Sequence, residues 1–201
     1  MRRGLGFAAA AALAAVLLYQ LTDTQEPDDT RTDEVIVNEP DVYGADISFD
    51  QLLPDGSLHY RLEADAIRQF DSEDLTYLAE PQLHLINAEQ PPWDIASGHG
   101  YIRPHLDPDG NPEEVVYLRE NVKLIQTHPV NGLVTLRSQA FYIYPARQYA
   151  ETDLDVMIDT DVGRTEAAGI KADLQSGLLK LSSNDAQRVH TIVLPEQFKN
   201  S

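Results

Sequence analysis

Pro54-Asp55-Gly56-Ser57-Leu58-His59-Tyr60-Arg61-Leu62-Glu63-Ala64 is the stretch whose reading decides the fold. Pro54 fixes φ and Gly56 tolerates positive φ, so the opening triplet forms a reverse turn. Leu58, Tyr60, Leu62 and Ala64 then alternate with His59, Arg61, Glu63 and Asp65, the two-residue period of a strand with one buried face. Residues 47–53, on the other side of the turn, pair back on it as a hairpin. Outward from this hairpin, alternating or β-branched runs recur at 75–79, 82–86, 95–102, 115–118, 122–126, 133–136, 141–144, 150–158, 164–174, 178–181 and 187–194. Pro81, Pro91-Pro92, the run 107–112, Asn131-Gly132, Pro145, Ser176-Gly177 and 183–185 punctuate them. Strands at this spacing, with no long amphipathic helix between them, predict an all-β antiparallel sandwich, roll or barrel from residue 42 to the end at 201.

A weak repeat runs through the body. Ala64 and Ala66, then Ser97, Gly98 and Gly100, then Ser138 and Ala140, then Ala168 and Gly169, each precede an apolar residue and a following strand. Small side chains at one place in each unit would let two β layers approach closely there.

The chain has 201 residues, 33 of them acidic and 15 basic, a formal net charge of −18, and no cysteine. Scattered, outnumbered cations argue against a nucleic-acid binder, which needs clustered Lys and Arg to release counterions. The missing cysteines exclude disulfides, thiolate zinc sites, iron–sulfur clusters and cysteine nucleophiles.

The charge is unevenly distributed. Arg2 and Arg3 lie in the short segment 1–4, residues 5–21 carry no charge, and acidity begins at Asp23. Cations before the apolar run and none after it predict a single membrane-spanning helix over 5–21 with its N-terminus in the cytoplasm. At 1.5 Å per residue that run reaches roughly 25 Å, just short of a hydrocarbon core. A cleaved signal peptide is the alternative, but the exit through Leu18, Tyr19, Gln20 and Leu21 offers no Ala-x-Ala site. Residues 22–41 are rich in Asp, Glu, Thr and Pro and read as a solvated linker, with a small apolar island at Val35, Ile36 and Val37.

Candidate chemistry is sparse. Asp107, Asp109, Asn111 and Glu113 superficially resemble a calcium loop, but the glycine is misplaced and no bidentate Glu closes it, so a solvated hairpin tip is expected. His59, His84, His99, His105, His128 and His190 show no metal-ligand spacing; no metal site, no cofactor and no catalytic residue are expected. Paired carboxylates of an envelope carbohydrate-active enzyme stay open as an alternative, because so many acids always permit some pair. Phe141, Tyr142, Ile143, Tyr144 and Tyr149 admit a stacking platform for sugars or bases, against a strand with Phe141 and Ile143 in the core and Tyr142 and Tyr144 on the other face.

The series Pro54-Asp-Gly56-Ser-Leu58-His-Tyr60-Arg61-Leu62-Glu-Ala64, Phe70-Asp71, Pro81-Gln-Leu83 and Pro92-Trp93 followed by Ser97, behind an apolar run and an acidic linker, resembles the LptC family of lipopolysaccharide-export proteins. Tyr117-Leu118, Val122-Lys-Leu124 and the small-residue strand at 138–143 continue the resemblance more weakly. It implies a twisted β-jellyroll of antiparallel strands, held in the periplasm by the inner-membrane helix. It also implies a non-enzymatic bridge role in outer-membrane assembly of a Gram-negative cell. The bridge would receive lipopolysaccharide from an inner-membrane ABC transporter and pass its acyl chains through an apolar groove to a periplasmic LptA-like partner. Gly56 falls on the family's turn glycine, and Leu78 falls where relatives carry an aromatic facing the lipid path. Alternation and resemblance together nominate Tyr60, Leu62, Leu78, Leu83, Leu85, Ile102, Val122, Leu124 and Ile143 as the lining, with a dry core as the alternative for each. The strand 187–194, with Gln187, Val189, Thr191 and Val193, matches the edge to which the partner adds by strand pairing. The long 107–112 turn, the expanded C-terminal third and the acidity depart from the family pattern. A soluble LptA-like bridge with a cleaved signal is the nearest rival.

Overall fold

The hairpin that opens the body is formed by β1 (Val42–Leu52) and β2 (Leu58–Phe70), paired antiparallel from Val42 opposite Gln69 to Leu52 opposite Leu58. A computed structural model of the chain describes residues 39–87, 90–129 and 132–194. In the turn, Gly56 sits at φ 86°, its N–H donates to the Leu53 carbonyl at 2.9 Å, and the Asp55 carboxylate accepts from the Ser57 N–H and hydroxyl. The strand begins five residues earlier than the expected 47. Asp46 adopts a left-handed φ of 50° and interrupts the ladder only opposite Asp65, so pairing resumes on either side.

The remaining strands are β3 (Leu75–Ala79), β4 (Gln82–Leu85), β5 (Trp93–Ala96), β6 (His99–Leu106), β7 (Pro112–His128), β8 (Gly132–Tyr144), β9 (Tyr149–Thr152), β10 (Val156–Thr160), β11 (Gly163–Ala167), β12 (Gly169–Asp173), β13 (Leu178–Ser182) and β14 (His190–Val193). One short 3-10 turn, Pro145–Arg147, separates β8 from β9. Every pairing is antiparallel.

The pairings divide into two half-sheets. The N-terminal half of β2 pairs with β4, then follow β5, the C-terminal half of β7, the N-terminal half of β8, β10, β11 and β14. The C-terminal half of β2 pairs instead with β3, followed by β6, the N-terminal half of β7, the C-terminal half of β8, β9, β12 and β13. β1, β2, β7 and β8 run through both half-sheets. Between the other elements the chain turns a corner at Glu80-Pro81, Ser97-Gly98, 153–155, Ala168 and 183–189.

These corners are bonded to one another. Glu80 N–H donates to the Gly98 carbonyl at 2.9 Å, Gly98 N–H to the Glu120 carbonyl at 3.0 Å, and Ser138 Oγ to the Asp155 carbonyl at 2.8 Å. Asp46, Glu80, Glu120 and Asn121 all have positive φ on this line. A non-glycine residue in that region costs about 1–2 kcal/mol, which the bonded seam outweighs. The small residues of the sequence repeat sit here for a steric reason. A Cβ on Gly100 would lie 2.9 Å from the Tyr117 carbonyl oxygen, and one on Gly169 would lie 2.8 Å from that of Thr152.

The seam also explains where the sequence reading cut and joined strands. The runs 95–102, 150–158 and 164–174 each span a corner and are two strands apiece, whereas 115–118 with 122–126, and 133–136 with 141–144, are single long strands. In β8 the buried series passes from Leu136 and Ser138 to Phe141 and Ile143, a one-residue slip of phase that mimics a strand break. The expected last strand, 187–194, is only β14; Gln187 instead closes a turn with Asn184.

Asp41, expected at the end of the linker, is already tied to the body, its N–H donating to the Gln69 carbonyl at 2.9 Å and its carboxylate accepting from Asp71 N–H at 2.7 Å. The expected helix over 5–21 and the island at 35–37 lie outside the described residues. Among the described residues no helix is long and apolar enough to cross a membrane.

Candidate functional site

Side chains that stand opposite one another in an antiparallel ladder share a face, so the register lines up whole rows across the inner surface. In the first half-sheet one row runs Phe49, Leu62, Leu83, Ile95, Leu124, Leu136, Ile158, Thr165 and Thr191. In the second, Ile102, Val116, Ile143, Ala150, Ala172 and Leu179 are successive partners. Tyr60, Leu62, Leu78, Leu83, Leu85, Val122, Leu124 and Ile143 are buried in one apolar cluster, with Ile102 packed on it and half-exposed. The nominated lining residues therefore converge on one interior. Ile95, Leu118, Leu136, Phe141 and Ile158, expected only as strand or core positions, belong to it equally, as does Trp93, which the sequence offers only as part of the family resemblance. Gly56 lies away from the interior, in the hairpin turn.

The interior is closed in the middle and opens to one side. Leu118, Val122, Leu124, Leu136, Phe141 and Ile143 have 0% exposure. On β6 the inward-facing row emerges into solvent, from half-buried Ile102 through Pro104 to Leu106, which is 61% exposed. Glu114, opposite Pro104, is the acid at this lip: its side chain reaches solvent, yet surrounding protein desolvates the carboxyl and pushes its pKa up. Its charge adds to burial in pushing the Tyr60 hydroxyl up to about 12.

Remote from the seam, three side-chain bonds join the half-sheets among the described residues. Gln148 Nε2 donates to the Ile86 carbonyl at 2.6 Å, Trp93 Nε1 to the Leu174 carbonyl at 3.3 Å, and Asn87 Nδ2 to the Gln175 carbonyl at 3.1 Å.

Among the described residues β14 is an edge, pairing with β11 alone, and all four of its residues are exposed. Of the nominated edge residues it contains Thr191 and Val193; Gln187 and Val189 precede it. β13 is the edge of the other half-sheet.

The outer face of the second half-sheet carries Tyr77, Tyr101, Tyr117 and Tyr142 as direct partners on four strands, with successive ring centroids 6.4, 4.9 and 4.8 Å apart. Phe141 and Ile143 are core and Tyr142 and Tyr144 lie on the opposite face, as alternation required. Tyr144 is buried there beneath the Arg147 guanidinium, 4.3 Å from its ring centre. The 107–112 segment is a hairpin tip in which the Asp107 carboxylate accepts from the Asn111 side-chain amide and then from the Asn111 and Asp109 N–H groups, holding its pKa down. Among the described residues no group of His, Cys, Asp and Glu is arranged to hold a metal ion.

Two antiparallel half-sheets hinged along a bonded seam around an apolar interior define a β-jellyroll. Residues 7–188 match the family described as lipopolysaccharide-assembly, LptC-related, and the chain belongs to that family. The jellyroll is similar to the crystal structure of LptH, the LptA-homologous periplasmic component of the lipopolysaccharide transport device from Pseudomonas aeruginosa. The identity is 12%, the TM-score 0.51, and the match covers 68% of this chain and 95% of that one. No curated protein matches the sequence. The family consists of periplasmic, non-catalytic lipid-transport components, and the chain is not an enzyme.

Proposed function

We propose that the chain is an inner-membrane-anchored bridge that receives lipopolysaccharide from an ABC transporter and hands it to an LptA-like partner, with the acyl chains held between the two half-sheets. The observation that carries this reading is the apolar interior, continuous across both half-sheets and emerging at Ile102 and Leu106. Burial of acyl chains contributes about 0.8 kcal/mol per methylene, so such a groove needs no catalytic group. It also lets a chain of net charge −18 bind an anionic lipid, because the phosphates stay at the solvated lip. Tyr60, Leu62, Leu78, Leu83, Leu85, Ile102, Val122, Leu124 and Ile143 line the path in this reading. Hand-off uses the free backbone edge of β14, at Thr191 and Val193.

The test is site-specific photocrosslinking in the presence of an energised transporter. Crosslinkers at Leu78 and Leu85 capture lipopolysaccharide, whereas solvent-facing Arg61 and Glu63 do not; capture only at the latter two overturns the reading. Intact mass of the membrane fraction separates the anchored bridge, which retains residues 1–21, from a soluble LptA-like bridge that has lost them.

A further inference from the structure

Gln148 stands out among the buried polar residues. It is 7% exposed, lies at the end of the Pro145–Arg147 turn, and holds a left-handed φ of 49°. That conformation caps the turn, but a glutamine bears a steric cost there that a glycine would not, so further contacts help to hold it. Its contacts join three segments. The main-chain N–H donates to Pro145 O at 3.1 Å, the main-chain carbonyl accepts from Leu174 N–H at 2.8 Å, and the side-chain amide donates across the interior to Ile86 O at 2.6 Å. Leu174, held in this way from the second half-sheet, presents its own carbonyl to the indole N–H of buried Trp93 on the first. Asn87 and Gln175 add a third bond beside them.

The positions of these bonds matter. Ile86 and Asn87 follow β4 and Trp93 begins β5, all at the end of the first half-sheet remote from the seam. Gln148, Leu174 and Gln175 lie at the remote end of the second. The bonds thus cross the open side of the fold, opposite the line about which the half-sheets bend. Around them the interior is fully shut, with Leu174 1% and Trp93 3% exposed, whereas on β6 the inner face reaches solvent at Leu106.

We propose that Gln148, with Trp93, Leu174 and the Asn87–Gln175 bond, is a clasp that sets the separation of the two half-sheets. Admission of acyl chains to the middle of the interior requires its release. The proposal rests on the lipid-groove reading and adds its regulation. Release breaks three neutral hydrogen bonds, whose net contribution is small because water replaces each partner, and uncovers carbonyls that water can satisfy. It leaves the seam intact and lies within what a few buried methylenes offset.

The absence of cysteine makes a direct test possible. Full-length N87C/Q175C carrying p-benzoylphenylalanine at buried Leu78 is joined with a reducible bismaleimide and offered purified lipid A in detergent micelles, then compared with the same protein after reduction. A second full-length variant, Q148A, carries the same crosslinker without the cysteines. The open chain captures lipid A; the joined chain captures at least tenfold less and recovers on reduction; Q148A captures several-fold more. Equal capture by the joined and reduced forms overturns the clasp and leaves the groove reading standing. No capture by any form overturns the groove reading and the clasp with it. Hydrogen exchange without lipid is an independent check: Q148A speeds exchange at the Leu174 amide while the Gly98 amide in the seam is unchanged, and unchanged exchange at Leu174 also overturns the clasp.

Discussion

A methyl group added at Gly163 would separate β14 from β11, the strand it pairs with. A Cβ there would overlap the Ile192 carbonyl oxygen and approach within 3.1 Å of the Ile192 carbonyl carbon and Val193 Cα, all backbone atoms that cannot rotate away. Relief requires β14 to move off β11 by a sizeable fraction of an ångström or more. The strand has little to resist with. It contributes four ladder positions, the Leu194 N–H bond to Val162 O at 2.8 Å and the Thr165–Thr191 hydroxyl pair at 3.0 Å, and its side chains are all exposed. At about 0.5–1.5 kcal/mol per net hydrogen bond, against about 1–2 kcal/mol per residue of backbone ordering, its docking is marginal. Gly163→Ala is therefore expected to raise amide exchange at Leu194 by tenfold or more, a loss of about 1.4 kcal/mol of local stability. The global denaturation midpoint should shift by less than the equivalent of about 1 kcal/mol, because the core rows do not include Gly163. Hydrogen exchange read by mass spectrometry, paired with urea unfolding, measures both. Unaltered exchange at Leu194 would refute the steric argument, and loss of the whole cooperative transition would refute the view of β14 as a separable edge.

Further expectations concern the interior and the seam. Leu124→Ala removes a fully buried side chain from the middle of a row and should cost about 2–5 kcal/mol in urea unfolding; a loss below about 1 kcal/mol would mean the half-sheets collapse onto the cavity. Glu114 has a folded pKa raised by burial, so the folded state binds more protons than the unfolded one between the two values. Stability should fall as pH rises from the ordinary carboxylate value through the raised one, and Glu114→Gln should flatten that slope; identical slopes in the two proteins count against desolvation at the lip. Asn121, at φ 59°, should tolerate glycine with no loss of stability, while Asn121→Val should cost about 1–2 kcal/mol in the same assay, and an unchanged valine variant would show that the seam conformation is not enforced.

The turn of the β1–β2 hairpin and the facing of residues 58–65 were legible, because Pro54, Asp55 and Gly56 act through local backbone geometry and the alternation after them is clean, but the first five residues of β1 and the end of β2 were not. β3, β4 and β13 were placed within one residue of their observed ends for the same reason. The corners were not legible as corners. Small residues at 97–100, 138–140 and 168–169 announced close approach, but whether a strand ends there or bends depends on the carbonyl of a neighbouring strand, such as that of Glu120 receiving Gly98. Glu120 and Asn121 carry no turn signature strong enough to reveal two consecutive positive φ values. The nine nominated lining residues fell on one interior because two-residue periodicity reports facing directly. Gln148 was invisible: a glutamine in a short loop takes its meaning from Ile86 and Leu174, which are distant in sequence.

The seam divides the molecule mechanically as well as topologically. The backbone crosses it as continuous strand in β1, β2, β7 and β8 and at the short corners 80–81, 97–98 and Ala168, while between β9 and β10 and between β13 and β14 it crosses as the longer loops 153–155 and 183–189. Continuous ladder is stiff and loop is compliant, so a force that spreads the half-sheets meets unequal resistance along the hinge. The fold should yield first beside β13 and β14, widening as a wedge rather than in parallel. A long molecule drawn into it would be gripped at one end and loosened at the other.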